Sequence, residues 1–148
     1  MGFVSRRKEA AEAVREKLAP VASGMAATAE DETLGLLRQS SPSGEVYMDR
    51  ELGRRYRASA PGEPPARRTG EYERSFGHTE EHMRGDRAVA AMTNDEMVGR
   101  NEGKPLWAIL EYGTFTQAPR THIRPAAERT ARTIRRATRG EVELRAAA

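Results

Sequence analysis

The stretches S-A-P-G-E-P-P-A-R-R-T-G-E-Y-E-R-S-F (residues 59–76) and A-I-L-E-Y-G-T-F-T-Q-A-P-R-T-H-I-R-P-A (residues 108–126) decide how this chain is read. The first packs Pro61, Pro64, Pro65 and Gly62 into a few positions. Proline fixes φ and removes a donor, so this part is an extended, non-helical arm with little backbone freedom to lose on ordering. The second runs from the most apolar segment of the chain, Leu106 to Tyr112, into Gly113 and then into an Arg-rich region. Neither stretch holds a nucleophile–base pair or a metal cage. Both fix backbone geometry, and that points to a structural protein and away from an enzyme.

Working outward, residues 5–39 read as a helix. Val4, Ala11, Val14, Leu18, Val21, Met25 and Thr28 recur at alternating steps of three and four, a narrow apolar stripe. Pro20 and Gly24 interrupt it, so either one bent helix or two helices are expected. The later part is expected to bury Leu34, Leu36 or Leu37. S-S-P-S-G at residues 40–44 is a turn, and residues 45–48 a short strand. Residues 71–76 start a short helix or strand with Thr69 as its cap. Residues 87–92 read as a strand and residues 94–104 as a polar hairpin loop. Residues 106–112 are either a core strand or a helical turn running into one. Residues 115–122 form a loop. Residues 123–139 form the last helix, with Pro125 tolerated in its first turn. Residues 1–139 make one domain and residues 140–148 a loose tail. The expected class is α+β: a long bent N-terminal helix, a small mostly antiparallel sheet and a C-terminal Arg-rich helix.

Composition narrows the function classes. Hydrophobic residues are 37% of the 148, charged residues 32%. Mean hydropathy is −0.77. That is more polar than an average domain, and not polar enough for full disorder. It fits a small core whose extended parts find burial in other subunits. There is no Cys, hence no disulfide or thiolate chemistry. No segment is long and apolar enough for a membrane span, and no apolar signal region opens the chain. The net charge is only +3, yet residues 119–139 hold seven Arg and one Glu. An Arg excess follows either from interface chemistry or from a GC-rich genome.

Three chemical motifs are present. His78-Thr79-Glu80-Glu81-His82 spells the inverted zincin pattern, but a zinc protease needs it on a helix with a third ligand. The reading taken is a solvated turn, with no metal and no cofactor. Arg84-Gly85-Asp86 spells the integrin tripeptide, which chance explains in a chain rich in Arg and Gly. The row Arg129, Arg132, Arg135 and Arg136 is a candidate basic face, for phosphates or, as charge runs more often are, a solvated face or an Arg–carboxylate subunit contact. It lacks a base-reading motif and stacking aromatics. Trp107, Tyr112 and Phe115 are core or interface anchors.

In order and spacing the two quoted stretches resemble a family of tailed-phage minor tail-component proteins. That family carries, in effect, "APG-x-PPA-x-x-TG-x-L-x-x-S" and "EFGT…mPArPFlRPA" after an N-terminal helix. Tyr72 stands where the family has Leu, and Thr121-His122-Ile123 where it commonly has Pro-Phe-Leu. The resemblance implies a neck protein of a long-tailed phage or prophage: a head–tail connector, tail-completion or tail-terminator subunit. Such subunits form a homo-oligomeric ring, commonly a hexamer, between the DNA-filled head and the tail tube. The implied partners are copies of itself, adjacent neck and tail-tube proteins, and DNA passing without sequence-specific binding. The implied location is the virion, with host cytoplasm before assembly, and no membrane. Candidate subunit contacts are Pro61, Pro64, Pro65 and Tyr72 on the first stretch. On and beside the second they are Trp107, Glu111, Tyr112, Phe115, Arg120 and Arg124. The alternative function is a small nucleic-acid-binding protein using the basic helix.

Overall fold

The structure, a computed structural model, describes residues 2–85, 87–96, 103 and 105–146. Helix α1 (Gly2–Gln39) is one element with Pro20 inside it, so the two-helix alternative is not what forms. Pro20 is exposed. The carbonyl that loses its donor there therefore keeps access to water, which lets the helix continue.

A hairpin follows, β1 (Val46–Asp49) with β2 (Arg54–Arg57). Asp49 closes its turn by accepting the N–H groups of Glu51 and Leu52 at 3.1 Å each. After the arm come α2 (Glu71–Arg74) and β3 (Phe76–His78). The start at residue 71 is thus a helical turn that hands over to a strand. Thr69 does accept the Glu71 N–H, at 3.2 Å, with Gly70 between them at φ 82°. Residues 87–92, expected as one strand, divide into β5 (Arg87–Val89) and β6 (Met92–Asn94). β5 pairs with β4 (His82–Arg84), and β6 pairs with β3. All three sheets are antiparallel and two-stranded. Most of the expected loop at residues 94–104 lies outside the described residues.

Residues 106–112 form a helix, α3 (Leu106–Tyr112). The last helix, α4 (Ile123–Ala146), runs past Arg139 into the stretch expected as a loose tail. The architecture is therefore α+β as expected: a long N-terminal helix, small antiparallel sheets and C-terminal helices.

The core is small. Ala26, Leu36 and Leu37 of α1 are buried with Phe76 of β3 and Ala126 of α4. Thr33, also buried, donates to the Ala29 carbonyl and touches the Met92 sulfur at 3.3 Å. α1 packs on α4 and on the β3–β6 and β4–β5 pairs. Its first half does not join this core: Val14 and Val21 are about half exposed (55% and 54%).

Candidate functional site

The two quoted stretches meet. Arg120 reaches back to Ser59: its Nε donates to the Ser59 hydroxyl at 2.8 Å, and its Nη2 to the Ser59 carbonyl at 3.0 Å. The Gly62 N–H donates to the Pro119 carbonyl at 3.0 Å. Arg120 is itself fixed by its N–H on the Leu110 carbonyl, 2.7 Å away. On the other side of the arm, Glu63 accepts the N–H groups of Ala60 (2.8 Å) and Ser43 (3.1 Å) and the Ser43 hydroxyl. Those donors, the hydroxyl first, hold the Glu63 carboxyl below its ordinary range. The arm is thus anchored on its own chain. Pro65 is buried and Pro64 half-buried, and of the three prolines only Pro61 stays exposed.

Glu111 is the pivot. It is 5% exposed, and its carboxylate accepts three consecutive N–H groups, from His122 (2.9 Å), Ile123 (3.0 Å) and Arg124 (3.0 Å). These are the donors that a helix start leaves without partners. Pro125 has none to offer, and the Ala126 N–H goes to the His122 carbonyl at 3.1 Å. Every N–H in the first turn of α4 is accounted for, and a negative charge stands at the positive end of the helix dipole. Burial pushes the Glu111 carboxyl up, but the three donors outweigh it and the net shift is down.

His122 is fully buried. Its Nδ1 lies 3.1 Å from the Arg120 carbonyl and its Nε2 2.5 Å from the Tyr72 hydroxyl. A neutral ring with the proton on Nδ1 satisfies both contacts. Burial lowers its pKa, against the raising effect of the Arg120 carbonyl and Glu111. Tyr72, Phe76 and His122 pack edge to face, with centroids 5.1–6.2 Å apart. Burial, then Glu111 and Glu96, push the Tyr72 phenol up. Both ring nitrogens of His122 are engaged and enclosed, so this network positions the chain.

Between α3 and Arg120 the chain turns sharply. Gly113 has φ 74°, and a Cβ there would stand 2.6 Å from the Gln117 carbonyl oxygen. Glycine is required there. Thr114 braces the loop: its N–H donates to the Gln117 carbonyl at 2.8 Å, and its hydroxyl accepts the N–H groups of Thr116 and Gln117. Phe115 stands at the tip, fully exposed, and Tyr112 is 66% exposed. Trp107 is half-buried, edge to face with Tyr112 at 6.5 Å.

Tyr72, Glu111 and Arg120 therefore join one buried network, while Tyr112 and Phe115 point outward. Arg124 is exposed, its backbone alone serving Glu111. On α4, Arg129 is half-buried, and Arg132, Arg135 and Arg136 are exposed. Among the described residues none of these four has an acidic side chain within ion-pair distance. His78 and His82 lie on different strands in different sheets, and not in the solvated turn expected. His78 contacts Glu30 of α1 at 2.6 Å. Among the described residues no three His, Asp or Glu side chains are placed to hold a metal. Among the described residues no helix is long and apolar enough to cross a membrane. Asp86 of the tripeptide lies outside the described residues; Gly85 turns the β4–β5 hairpin.

Two parts of the site carry no signal in the two motifs. His122 is one, since nothing marks it as a core residue except its place just before the last helix. The other is Arg68, whose guanidinium binds Asp49 (Nε to Oδ2, 2.5 Å) and Glu51, tying the arm to the first hairpin. Hydrogen bonds from Arg68 first, then from the turn N–H groups, hold Asp49 at a pKa of about 2. Compared with protein-family models, with curated proteins and with solved structures, the chain matches none.

Proposed function

We propose that this chain is a structural subunit of a tailed-phage neck, built to close a ring at the head–tail junction as a connector, tail-completion or tail-terminator protein. One observation carries the reading. The lone subunit exposes 11271 Å², about half as much again as a compact monomer of its mass would. The surplus exceeds what one standard interface removes from a partner, roughly 800 Å². Apolar side chains lie within it: Val14, Leu18, Val21 and Met25 of α1, Val46 and Met48 of β1, and Phe115. Isolated two-stranded hairpins are marginal by themselves. A subunit with this surface gains its remaining burial from neighbours.

The braced second stretch supports the same reading. Glu111, Gly113 and Arg120 hold a fixed loop and a fixed start for α4, and a ring subunit must present its contacts at a set angle to close. The guanidiniums of Arg132, Arg135 and Arg136, which have no acidic partner among the described residues, suit an anionic neighbour, either DNA passing the channel or an acidic face of the next protein. The nucleic-acid-binding alternative rests on that same row.

Electron microscopy of particles made without this gene tests the reading. Separate full heads and tails are expected; joined, infectious particles overturn it. A DNA shift by the isolated protein that vanishes with salt and on replacing Arg132, Arg135 and Arg136, combined with joined particles, favours the nucleic-acid alternative.

A further inference from the structure

We propose that Phe115 of one copy inserts into the cleft between the proline-rich arm and α3 of a second copy of this chain, an inference that rests on the assembly reading above. Phe115 is 107% exposed, so its ring touches almost nothing in its own subunit. It is nevertheless held in place, since Gly113 sets the turn before it and Thr114 ties the tip to Gln117. An aromatic ring presented on a braced tip loses little freedom on docking, which is the property of an interface anchor. Tyr112 beside it extends the apolar area.

The receptor is on the same chain. A half-open cleft of about 330 Å³ has Leu37, Tyr56, Leu106 and Leu110 in its walls, beside charged side chains already engaged within the subunit, among them Arg67 with Glu73, Arg68 with Asp49 and Arg120 with Ser59. A dry apolar cavity of roughly 150 Å³ accepts benzene. The cleft therefore takes a phenyl ring together with part of the loop that carries it. Knob and socket on one chain are self-complementary, so a second copy is a sufficient partner.

The chain has no cysteine, so introduced thiols report one contact at a time. Thr116→Cys and Ala66→Cys proteins, which keep the Phe115 ring, mixed at assembling concentration with a short bis-maleimide, are expected to cross-link to each other, and neither to itself. Phe115→Ala is expected to move the association midpoint, read by light scattering, to on the order of 10- to 100-fold higher concentration. Its melting temperature at concentrations where both proteins are monomeric stays that of the wild type. Phe115→Leu recovers most of the association. Wild-type assembly with no 116–66 cross-link and an unmoved Phe115→Ala midpoint overturns the inference and leaves the assembly reading standing. A wild-type protein that stays monomeric at every concentration and forms no cross-link overturns both.

Discussion

Glu111 is a buried acid whose hydrogen bonds all come from backbone N–H groups, with the His122 ring 3.5 Å away. Removing its side chain strands three N–H groups at the base of α4. Glu111→Ala is expected to destabilise the fold by about 3 kcal/mol or more, read from urea melts. Glu111→Gln keeps one acceptor oxygen and turns an amide donor toward the remaining N–H, so it should fall between the two. His122 gives the pH dependence its sign. Its pKa is lowered in the fold from the ordinary 6.5, so the unfolded chain takes up a proton first as pH falls. Its contribution is complete above about pH 6.5 and declines below that. Melting temperature should therefore drop between pH 7.5 and pH 5, and the slope in that window should flatten in His122→Gln. Glu111 is lowered from 4.5, so its own contribution is lost at more acid pH, below the His122 window. At Gly113 the constraint is steric: Gly113→Ala combines a φ of 74° with a 2.6 Å approach to a carbonyl. It should cost about 2 kcal/mol, measured in the same melts.

The elements differ in how openly they were written. α1 and α4 were legible because their small and apolar residues repeat at helical spacing. The continuation of α1 through Pro20 was not, because it depends on that turn facing water. L-W-A-I-L-E-Y was ambiguous for a physical reason, since seven residues are too few for periodicity to separate helix from strand. Pro105 at its start and Gly113 at its end enclose the helix that forms. The fully buried member of that helix is its one acid, Glu111, and no hydrophobic pattern reveals a residue buried for its charge. The second stretch announced the turn at Gly113; it did not announce that Ser59 would be its partner, because that bond spans 61 positions. The strand pairs were missed in detail because residues 87–94 form two three-residue strands around Ala90 and Ala91. The hairpin β1–β2 has its own acid limit. Asp49 is lowered from 3.8 to about 2, so the tie to Arg68 is present above pH 4 and is lost as pH falls toward 2. Amide exchange of Glu51 and Leu52 should speed up in that window, and Asp49→Asn should speed it up at neutral pH.

For the whole molecule the governing fact is the mismatch between a small core and a large surface. If neighbours supply the missing burial, the melting temperature must rise with protein concentration, because association stabilises the folded form by mass action. A melting temperature constant over a hundredfold range of concentration would speak against it. The sequence composition pointed to this shortage of core; which surfaces are left over required the three-dimensional packing of α1 against α4. That packing also sets an order in time. Helix α1 is completed by α4, more than 80 residues further on, and Glu111 waits for N–H groups from residues 122–124, which emerge only after it. A nascent chain therefore has no finished core and no oriented Phe115 loop until α4 has been made. A chain stopped at residue 121 should show no cooperative unfolding. Under the assembly proposed above, a copy would become competent to join another only once α4 has been made, a delay that keeps neighbours on one messenger from pairing prematurely.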